Sequence, residues 1–303
     1  MAEALRQILF EHELIFVDTI RLKDLDAADL VLIGGGSFLY APIRYESKAA
    51  WGTLHDWKPV IYVGVGSETD IHSEHEKLLK KASAAFTRTQ NSHPKWVAAA
   101  PTNTAILPDL TMCLKATPNA LTNAKRLLYI PNAELVPARS APAWKKPAWE
   151  YFKSEISQAF DELIADGWTI TTAPFSAASG MRDQWAAFEV TAMCDKRWKV
   201  KSLDESWLTR TFEQITWEYN KHSVVLTQRF HGAVIAQVTQ TPCVVVHHVD
   251  KLEQMYGCQK VSYYGVRKDL MLDAIKNAYR PVNPVVPATF AIVRDAVSFA
   301  LSV

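Results

Sequence analysis

Arg229 and His231 are the residues of this chain whose types and spacing best suit chemistry on an anion. They stand two positions apart in the run TQRFHG, residues 227–232. A guanidinium is a planar, permanently charged fork that binds carboxylate or phosphate. An imidazole can exchange a proton near neutral pH. The first function that the sequence indicates is therefore an anion-binding site with a proton-transfer group beside it.

The segments around this pair predict that it lies where a strand ends and a helix begins. Val224–Thr227 is an apolar, β-branched run, and Ala233–Val238 is an apolar helical stretch. Ligands of open parallel sheets bind at the carboxyl ends of the strands, and a helix start offers N–H groups and a positive dipole end to an anion. We therefore assign Phe230 and Gly232, which flank His231, to substrate binding.

Local spacing leaves a structural interpretation of the same residues open. An Arg at a strand end also forms structural ion pairs, and a His next to a buried helix is often a satisfied core residue. The placement ahead of Gly232 favours function, and we predict Arg229 and His231 to be the catalytic residues.

A second strand-like run leads to another candidate cation. Cys243–Val246 follows Pro242 and precedes Asp250 and Lys251. Because consecutive parallel strands end at one sheet edge, we expect Lys251 near Arg229 as a second cation for an anionic substrate. A solvated loop pair is the alternative for Asp250 and Lys251.

A glycine turn near the start of the chain is the other candidate binding element. Gly34, Gly35, Gly36 and Ser37 follow the buried-type strand Leu30–Ile33. Glycine lets the backbone approach a ligand closely. The pattern is not GxGxxG, so it does not indicate a dinucleotide, and a plain packing turn is the alternative.

No metal site is expected from the sequence. His247 and His248 are adjacent at a strand end, so their side chains point to opposite sides. No Cys, His or Asp spacing elsewhere matches a zinc or iron site.

The two strong blocks resemble the polysaccharide pyruvyl transferase family. Its members carry an Arg-x-His after a strand, a small-residue helix, a Pro-led strand and an Asp/Lys turn, here residues 229–251. The run 29–38 is similar to the family's first strand and glycine turn, and Arg88 and Asp109 are weaker echoes. The resemblance implies a GT-B-like fold with two Rossmann-like parallel-sheet α/β domains facing a cleft.

The resemblance also implies an activity. It predicts a transferase that moves a pyruvyl group from phosphoenolpyruvate to a sugar of a polysaccharide, as in exopolysaccharide biosynthesis, or of a lipid-linked oligosaccharide. Arg229 and Lys251 would hold the donor's carboxylate and phosphate, and His231 would transfer protons. The glycine turn at 34–37 would face the acceptor. Phosphoenolpyruvate is a donor substrate, and no cofactor is implied.

Two other functions stay open. One is a nucleotide-sugar glycosyltransferase of the same GT-B architecture, in which a basic strand-end residue stabilises the leaving phosphate. The other is a non-catalytic glycan- or anion-binding protein. The family usually opens with a strand and an Asn/Gly/Asp-bearing turn, which the start Met1-Ala2-Glu3 does not show, and this favours the second alternative.

Composition and charge limit the kinds of partner that the sequence favours. The 303 residues carry a net charge of +1, so no overall field favours nucleic acid. The sequence shows no secretory signal and no apolar run of about 18 residues, and the four scattered cysteines favour a reducing compartment. We expect a cytoplasmic protein that makes at most peripheral membrane contact, through a lipid-linked acceptor.

Strand-like runs alternate with helix-length stretches, which predicts parallel α/β layers. We divide the chain into an N-terminal domain 1–125, a C-terminal domain 126–285 and a C-terminal helix 286–303 that crosses back to the first domain. The proline-rich segment 130–149 is the favoured linker, and a boundary near Thr117-Pro118 is the alternative. Ser73–Phe86 is expected to form one helix.

Overall fold

A computed structural model describes most of the chain. The described residues are 5–6, 8–9, 11–14, 28–34, 58–65, 71–88, 98, 104–107, 109–120, 124–137, 142, 144–176, 183–248, 250–253, 255, 257–281 and 286–302. They form two compact units, Met1–Leu114 with Pro284–Val303, and Lys115–Asn283. No helix among the described residues is long and apolar enough to cross a membrane.

The first unit is built on a parallel four-stranded sheet. Its strands follow one another across the sheet in chain order: β1 (Val31–Gly34), β2 (Val60–Val65), β3 (Ala84–Thr87) and β4 (Thr104–Ile106). Strand β2 is buried along its whole length, as expected for a strand with layers on both faces. Helix α1 (Ser73–Leu79) connects β2 to β3, and a 3-10 turn at Leu110–Cys113 follows β4.

The second unit contains a parallel six-stranded sheet. Its strands are β5 (Arg126–Ile130), β6 (Thr169–Thr172), β7 (Val200–Ser202), β8 (Val224–Thr227), β9 (Cys243–His247) and β10 (Gln259–Ser262). The order across the sheet is β10-β9-β8-β5-β6-β7, and every neighbouring pair is parallel. All six strands therefore end at one edge, with β8 in the interior between β5 and β9.

Helices connect these strands in the right order for a doubly wound sheet. They are α2 (Lys145–Ala165), α3 (Asp183–Thr191), α4 (Phe212–Tyr219), α5 (Phe230–Val238), the short α6 (Asp250–Glu253) and α7 (Lys268–Lys276). Shorter 3-10 turns lie at Ala133–Leu135, Arg197–Lys199 and Glu205–Thr209. The apolar faces of α2 and of strands β5, β8 and β9 share one hydrophobic core, which includes Trp149, Phe152 and Phe160.

The division of the chain differs from the predicted boundary at 125/126. The second unit begins at Lys115, because Asn119 is buried and bound into it before β5 starts. The Asn119 backbone N–H donates to the carbonyl of Thr239, and its side-chain amide donates to the carbonyl of His222 at 2.9 Å. The proline-rich segment 130–149 lies inside this unit and is not the linker.

The C-terminal helix α8 (Val286–Ser302) belongs to the first unit. It packs against β2 and the 3-10 turn that follows β4. Arg294 anchors it, with Nε donating to the carbonyl of Ile8 at 2.8 Å. The last helix therefore returns to the unit in which the chain begins.

The four cysteines, Cys113, Cys194, Cys243 and Cys258, are buried free thiols. Burial, with the nearby charge of Asp109, raises the pKa of Cys113 to about 11. Burial and neighbouring carboxylates raise the pKa of Cys194 to about 12. Since the thiolate is the nucleophilic form, neither of these two is a nucleophile at neutral pH.

The turn from β8 into α5 depends on a glycine. The Thr227 hydroxyl accepts the N–H of Arg229 at 3.0 Å and donates to its carbonyl at 3.1 Å. A Cβ at Gly232 would overlap that hydroxyl oxygen and lie 3.2 Å from Cδ1 of Ile130. Only glycine lets the first turn of α5 pack this closely on the strand that precedes it.

Gly232→Ala is expected to destabilise the fold by about 1–3 kcal/mol, because the added methyl overpacks this turn. Denaturant unfolding of the variant and the wild type measures the difference. Gly265→Ala is the matched control, since the nearest atom to its added Cβ is 4.0 Å away. Equal stability of the two variants would contradict the close packing at Gly232.

His222 should make stability fall on acidification. Burial lowers its pKa, although the hydrogen bond from Nδ1 to the carbonyl of Glu218 opposes the shift. With the folded pKa below the unfolded value of about 6.5, the unfolded state takes up the proton first as pH falls. His222 therefore contributes full stability above that value and progressively less below it.

His222→Gln should make the free energy of unfolding depend less on pH. The comparison is the free energy of unfolding at about pH 7.5 and pH 5.0 for both proteins, from urea titrations. The wild type should lose more stability than the variant across this interval. An equal loss in both would remove His222 as a source of the acid sensitivity.

Candidate functional site

The carboxyl edge of the six-stranded sheet gathers polar side chains from four connections. Asn132 follows β5, Asp183 lies between β6 and β7 at the start of α3, Gln228 and Arg229 follow β8, and His248 follows β9. These strands are neighbours in the sheet, so their connections meet. This is the edge at which parallel sheets bind ligands.

Arg229 joins three of these connections, those that follow β5, β6 and β8. It is the N-cap of α5 with an extended backbone, and its guanidinium reaches Asp183 with Nε and Nη2. Nε lies 3.0 Å from Oδ2, and Nη2 donates to Oδ1. The pair is bidentate, the arrangement that gives an Arg–carboxylate bond both strength and a fixed orientation.

Asp183 is fully buried, with a relative exposure of 0%. Besides Arg229, its carboxylate accepts the backbone N–H of Ala133 and that of Phe175, each at 2.9 Å. A buried charge is costly unless it is paired and hydrogen-bonded. The donors to this carboxylate come from the connections after β5, β6 and β8, so Asp183 fixes all three relative to one another.

A second carboxylate contacts the other side of the guanidinium. Glu134 accepts from Nη1 of Arg229 at 2.8 Å, and its side chain is 50% exposed whereas that of Arg229 is 16% exposed. Burial alone would lower the pKa of Arg229, but the hydrogen bonds and charge of Asp183, followed by those of Glu134, outweigh it and raise the pKa. Arg229 is therefore a cation at neutral pH.

The guanidinium keeps unused hydrogen-bonding capacity. Of its five N–H groups, one on Nε, one on Nη2 and one on Nη1 are engaged by Asp183 and Glu134. The other two have no acceptor within the described part of the chain. Arg229 is thus held firmly on one edge while N–H groups on Nη1 and Nη2 can still bind an anion.

His231 and Phe230 begin helix α5 directly beside this cation. The side chain of His231 is exposed, and its ring packs edge-on against that of Phe230 at 5.6 Å. Gly232 is buried, so solvent does not reach this position directly. The local fold therefore gives the predicted Arg229-Phe230-His231 block a fixed cation and an exposed imidazole.

A hydrogen-bonded group of Asn132, Gln228 and His248 covers the end of β8. The Gln228 amide oxygen accepts from the Asn132 backbone N–H at 3.0 Å and from the Tyr129 hydroxyl at 3.1 Å. The Asn132 side-chain oxygen accepts from the N–H of Glu134, so its NH₂ group faces Nε2 of His248 at 3.3 Å. In the neutral imidazole Nε2 is therefore the acceptor and Nδ1 carries the proton.

Sequence reasoning missed Asp183, Asn132 and Gln228, and it placed His248 at a strand end without assigning it a partner. Asn132 had a usable signal, since it comes soon after the apolar run 127–130, as Gln228 follows the run 224–227. Asp183 had none, because nothing local marks a carboxylate as the partner of an arginine 46 residues away. Within the described residues, no group of three or more His, Cys, Asp or Glu side chains could hold a metal ion.

The remaining predicted residues are only partly described. Lys251 lies in α6 after β9, so its backbone is at the same sheet edge, but its side chain is outside the described residues. Gly34 ends β1 in the first unit and is exposed, whereas Gly35, Gly36 and Ser37 lie outside the described residues.

The first unit contains its own buried Arg–Asp pair. Arg88 follows β3, and its Nη1 lies 3.4 Å from Oδ2 of Asp109, with the two side chains 5% and 2% exposed. Asp109 also accepts the N–H of Thr111 at 2.9 Å and so caps the following 3-10 turn. These two residues, which were weak echoes in the sequence, thus form a defined structural contact.

A family model described as polysaccharide pyruvyl transferase matches residues 1–248. This range includes Arg229, His231 and the buried partner Asp183. A comparison with the curated proteins gives no match.

Solved structures similar to this chain include UDP-GlcNAc 2-epimerases. That of Methanocaldococcus jannaschii is 13% identical with a TM-score of 0.57, covering 98% of this chain and 81% of the enzyme. That of Neisseria meningitidis, bound to UDP-GlcNAc, is 11% identical with a TM-score of 0.55, covering 98% and 88%. At such identity the likeness shows the fold alone, and it confirms the predicted GT-B-like class of two parallel-sheet α/β domains.

Proposed function

Because the chain belongs to the polysaccharide pyruvyl transferase family, we propose that it is a ketal pyruvyl transferase. The donor is phosphoenolpyruvate, and the acceptor is a sugar of a polysaccharide or lipid-linked oligosaccharide. The observation that carries the proposal is the Arg229-Phe230-His231 block, in which a firmly held guanidinium with N–H groups to spare adjoins an exposed imidazole. The proposal puts the enzyme in the cytoplasm, in peripheral contact with a membrane when the acceptor is lipid-linked.

The reaction needs an anion site and proton transfer. The CH₂ carbon of phosphoenolpyruvate takes up a proton, which makes C2 electrophilic. One sugar hydroxyl oxygen then bonds to C2, the bond from C2 to the phosphate oxygen breaks, and a second hydroxyl oxygen closes the ketal. One of the two hydroxyl protons replaces the proton taken up by carbon, and the other protonates the leaving phosphate. No oxidant or reductant is required.

We assign binding of the anionic donor to Arg229. Two of its N–H groups are available, and its cationic state is secured by two carboxylates. Lys251 is the second proposed cation, since its helix follows the neighbouring strand β9. Phe230 and Gly232 complete the proposed donor side, with N–H groups at the start of α5 aiding the phosphate.

His231 is assigned the proton transfers. It is exposed, and it stands two residues from Arg229 at the start of a helix. An imidazole can protonate the CH₂ carbon and later accept a hydroxyl proton without a metal ion. Gly34, Gly35, Gly36 and Ser37 are the residues proposed to bind the acceptor.

The test is phosphate release from phosphoenolpyruvate, measured with and without candidate glycans. The proposal expects release that depends on the acceptor, with a ketal in the product by mass spectrometry. A nucleotide-sugar glycosyltransferase would instead consume a nucleotide-sugar, and a glycan- or anion-binding protein would release nothing with any acceptor. Either of these results would overturn the proposed activity.

Activity should survive EDTA. The proposed chemistry uses a guanidinium and an imidazole where other enzymes use a metal ion, so chelation removes nothing that the reaction needs. Acceptor-dependent phosphate release in excess EDTA measures this. Complete loss of release that a divalent ion restores would show that the proposed chemistry is incomplete.

Arg229→Lys should weaken donor binding by about ten- to a hundredfold. Charge-assisted hydrogen bonds contribute about 1.5–3 kcal/mol each, and a lysine cannot hold Asp183 and the donor at once. Because Asp183 is buried, the melting temperature should also fall. Donor affinity by calorimetry, at a temperature at which the variant is folded, separates the two effects. An unchanged affinity would remove Arg229 from donor binding.

His231→Gln should lower turnover by about 10²–10⁴ with much less change in donor affinity, because glutamine cannot exchange a proton near pH 7. The side chain is exposed, so the melting temperature should stay close to that of the wild type. Turnover and melting temperature are measured side by side. Normal turnover in the folded variant would mean that His231 is not the proton carrier.

A further inference from the structure

The two carboxylates that hold Arg229 differ sharply in burial and in the way they bond to the guanidinium. Asp183 is 0% exposed and accepts from the guanidinium and from two backbone N–H groups. Glu134 is 50% exposed and bonds to the guanidinium through one nitrogen, Nη1. Equivalent counter-ions would be expected to share these properties, so the difference points to separate tasks.

The arrangement around Asp183 suits a residue that sets the position of another. Its bonds to Nε and Nη2 fix both the plane and the direction of the guanidinium. Its bonds to Ala133 and Phe175 tie that direction to the connections after β5 and β6. Movement of Asp183 away from Arg229 would leave a buried charge without these donors, which is costly.

The arrangement around Glu134 suits a group that a ligand replaces. A hydrogen bond of 2.8 Å joins its half-exposed carboxylate to Nη1 of the guanidinium. An anion that binds across Nη1 and Nη2 meets Glu134 at Nη1, because Asp183 already occupies the edge formed by Nε and Nη2. A carboxylate there resembles chemically the carboxylate or phosphate of an anionic ligand.

We infer that Asp183 is the positioning residue for Arg229, and that Glu134 occupies the place of the ligand's anionic group until that group displaces it. This inference rests on the proposed function for the identity of the ligand as an anionic phosphoryl donor. The division of roles makes opposite forecasts for the loss of the two carboxylates. A purely electrostatic effect would instead tighten anion binding in both variants, since each removal of a carboxylate makes the site more positive.

The experiment measures binding of phosphoenolpyruvate and of inorganic phosphate to the full chain by titration calorimetry. Glu134→Gln should tighten binding of both anions by about two- to fivefold, the size expected for a partly exposed ion pair. Asp183→Asn should weaken binding by at least about tenfold, because the guanidinium loses its fixed direction. Donor KM should rise more than kcat falls in this variant, which a general loss of folded protein would not produce.

Glu150→Gln is the matched control for Glu134→Gln. Glu150 is 51% exposed and forms an ion pair with Lys153 at 3.1 Å, so the variant loses the same charge from an equally exposed position. It should leave anion affinity unchanged. Glu134→Gln with the same affinity as Glu150→Gln would overturn the inference, as would tighter binding in Asp183→Asn.

Two further results distinguish failure of this inference from misfolding of a variant and from failure of the proposed activity. If Asp183→Asn does not fold, the comparison of Glu134→Gln with Glu150→Gln decides, since neither affects a buried group. If the two variants shift anion affinity in the opposite directions described while the wild type releases no phosphate with any acceptor, the inference stands and the proposed activity falls. A wild type that binds neither anion overturns the inference.

Discussion

The buried ion pair between Asp183 and Arg229 is the interaction on which the edge of the second sheet depends. A carboxylate with no solvent contact is tolerated only if its oxygens are fully bonded. Its donors come from three connections that are far apart in the chain and meet because β5, β6 and β8 end at one edge. The same bonds that satisfy the charge therefore fix the geometry of the site.

The sequence could predict where Arg229 and His231 lie because the signals are local. An apolar β-branched run, two polar residues and a small-residue helix specify a strand end and a helix start within fifteen positions, and the structure has β8 and α5 there. The sequence could not predict which edge of the guanidinium is occupied. That depends on a contact between residues 46 positions apart, which leaves no periodic trace in either segment.

The fold shows the same contrast between local and distant signals. The predicted helix Ser73–Phe86 is correct only to Leu79, and Ala84–Thr87 forms strand β3. Alanine-rich residues favour a helix intrinsically, but pairing with β2 overrides that preference. The domain boundary also follows from distant contacts of Asn119, whereas Pro131, Pro137 and Pro142 mark irregular backbone within the second unit and Pro147 lies in the first turn of α2.

A structural ion pair and an anion-binding site are alternatives only if an arginine has a single binding edge. A guanidinium has five N–H groups, and Asp183 uses those on one edge. An arginine without such a partner would spend conformational entropy each time it ordered around a ligand, so the buried carboxylate lowers the cost of binding at the outer N–H groups. The structural contact of Arg229 is thus a condition for the proposed role of this residue, because the contact makes the cation rigid before the anion arrives.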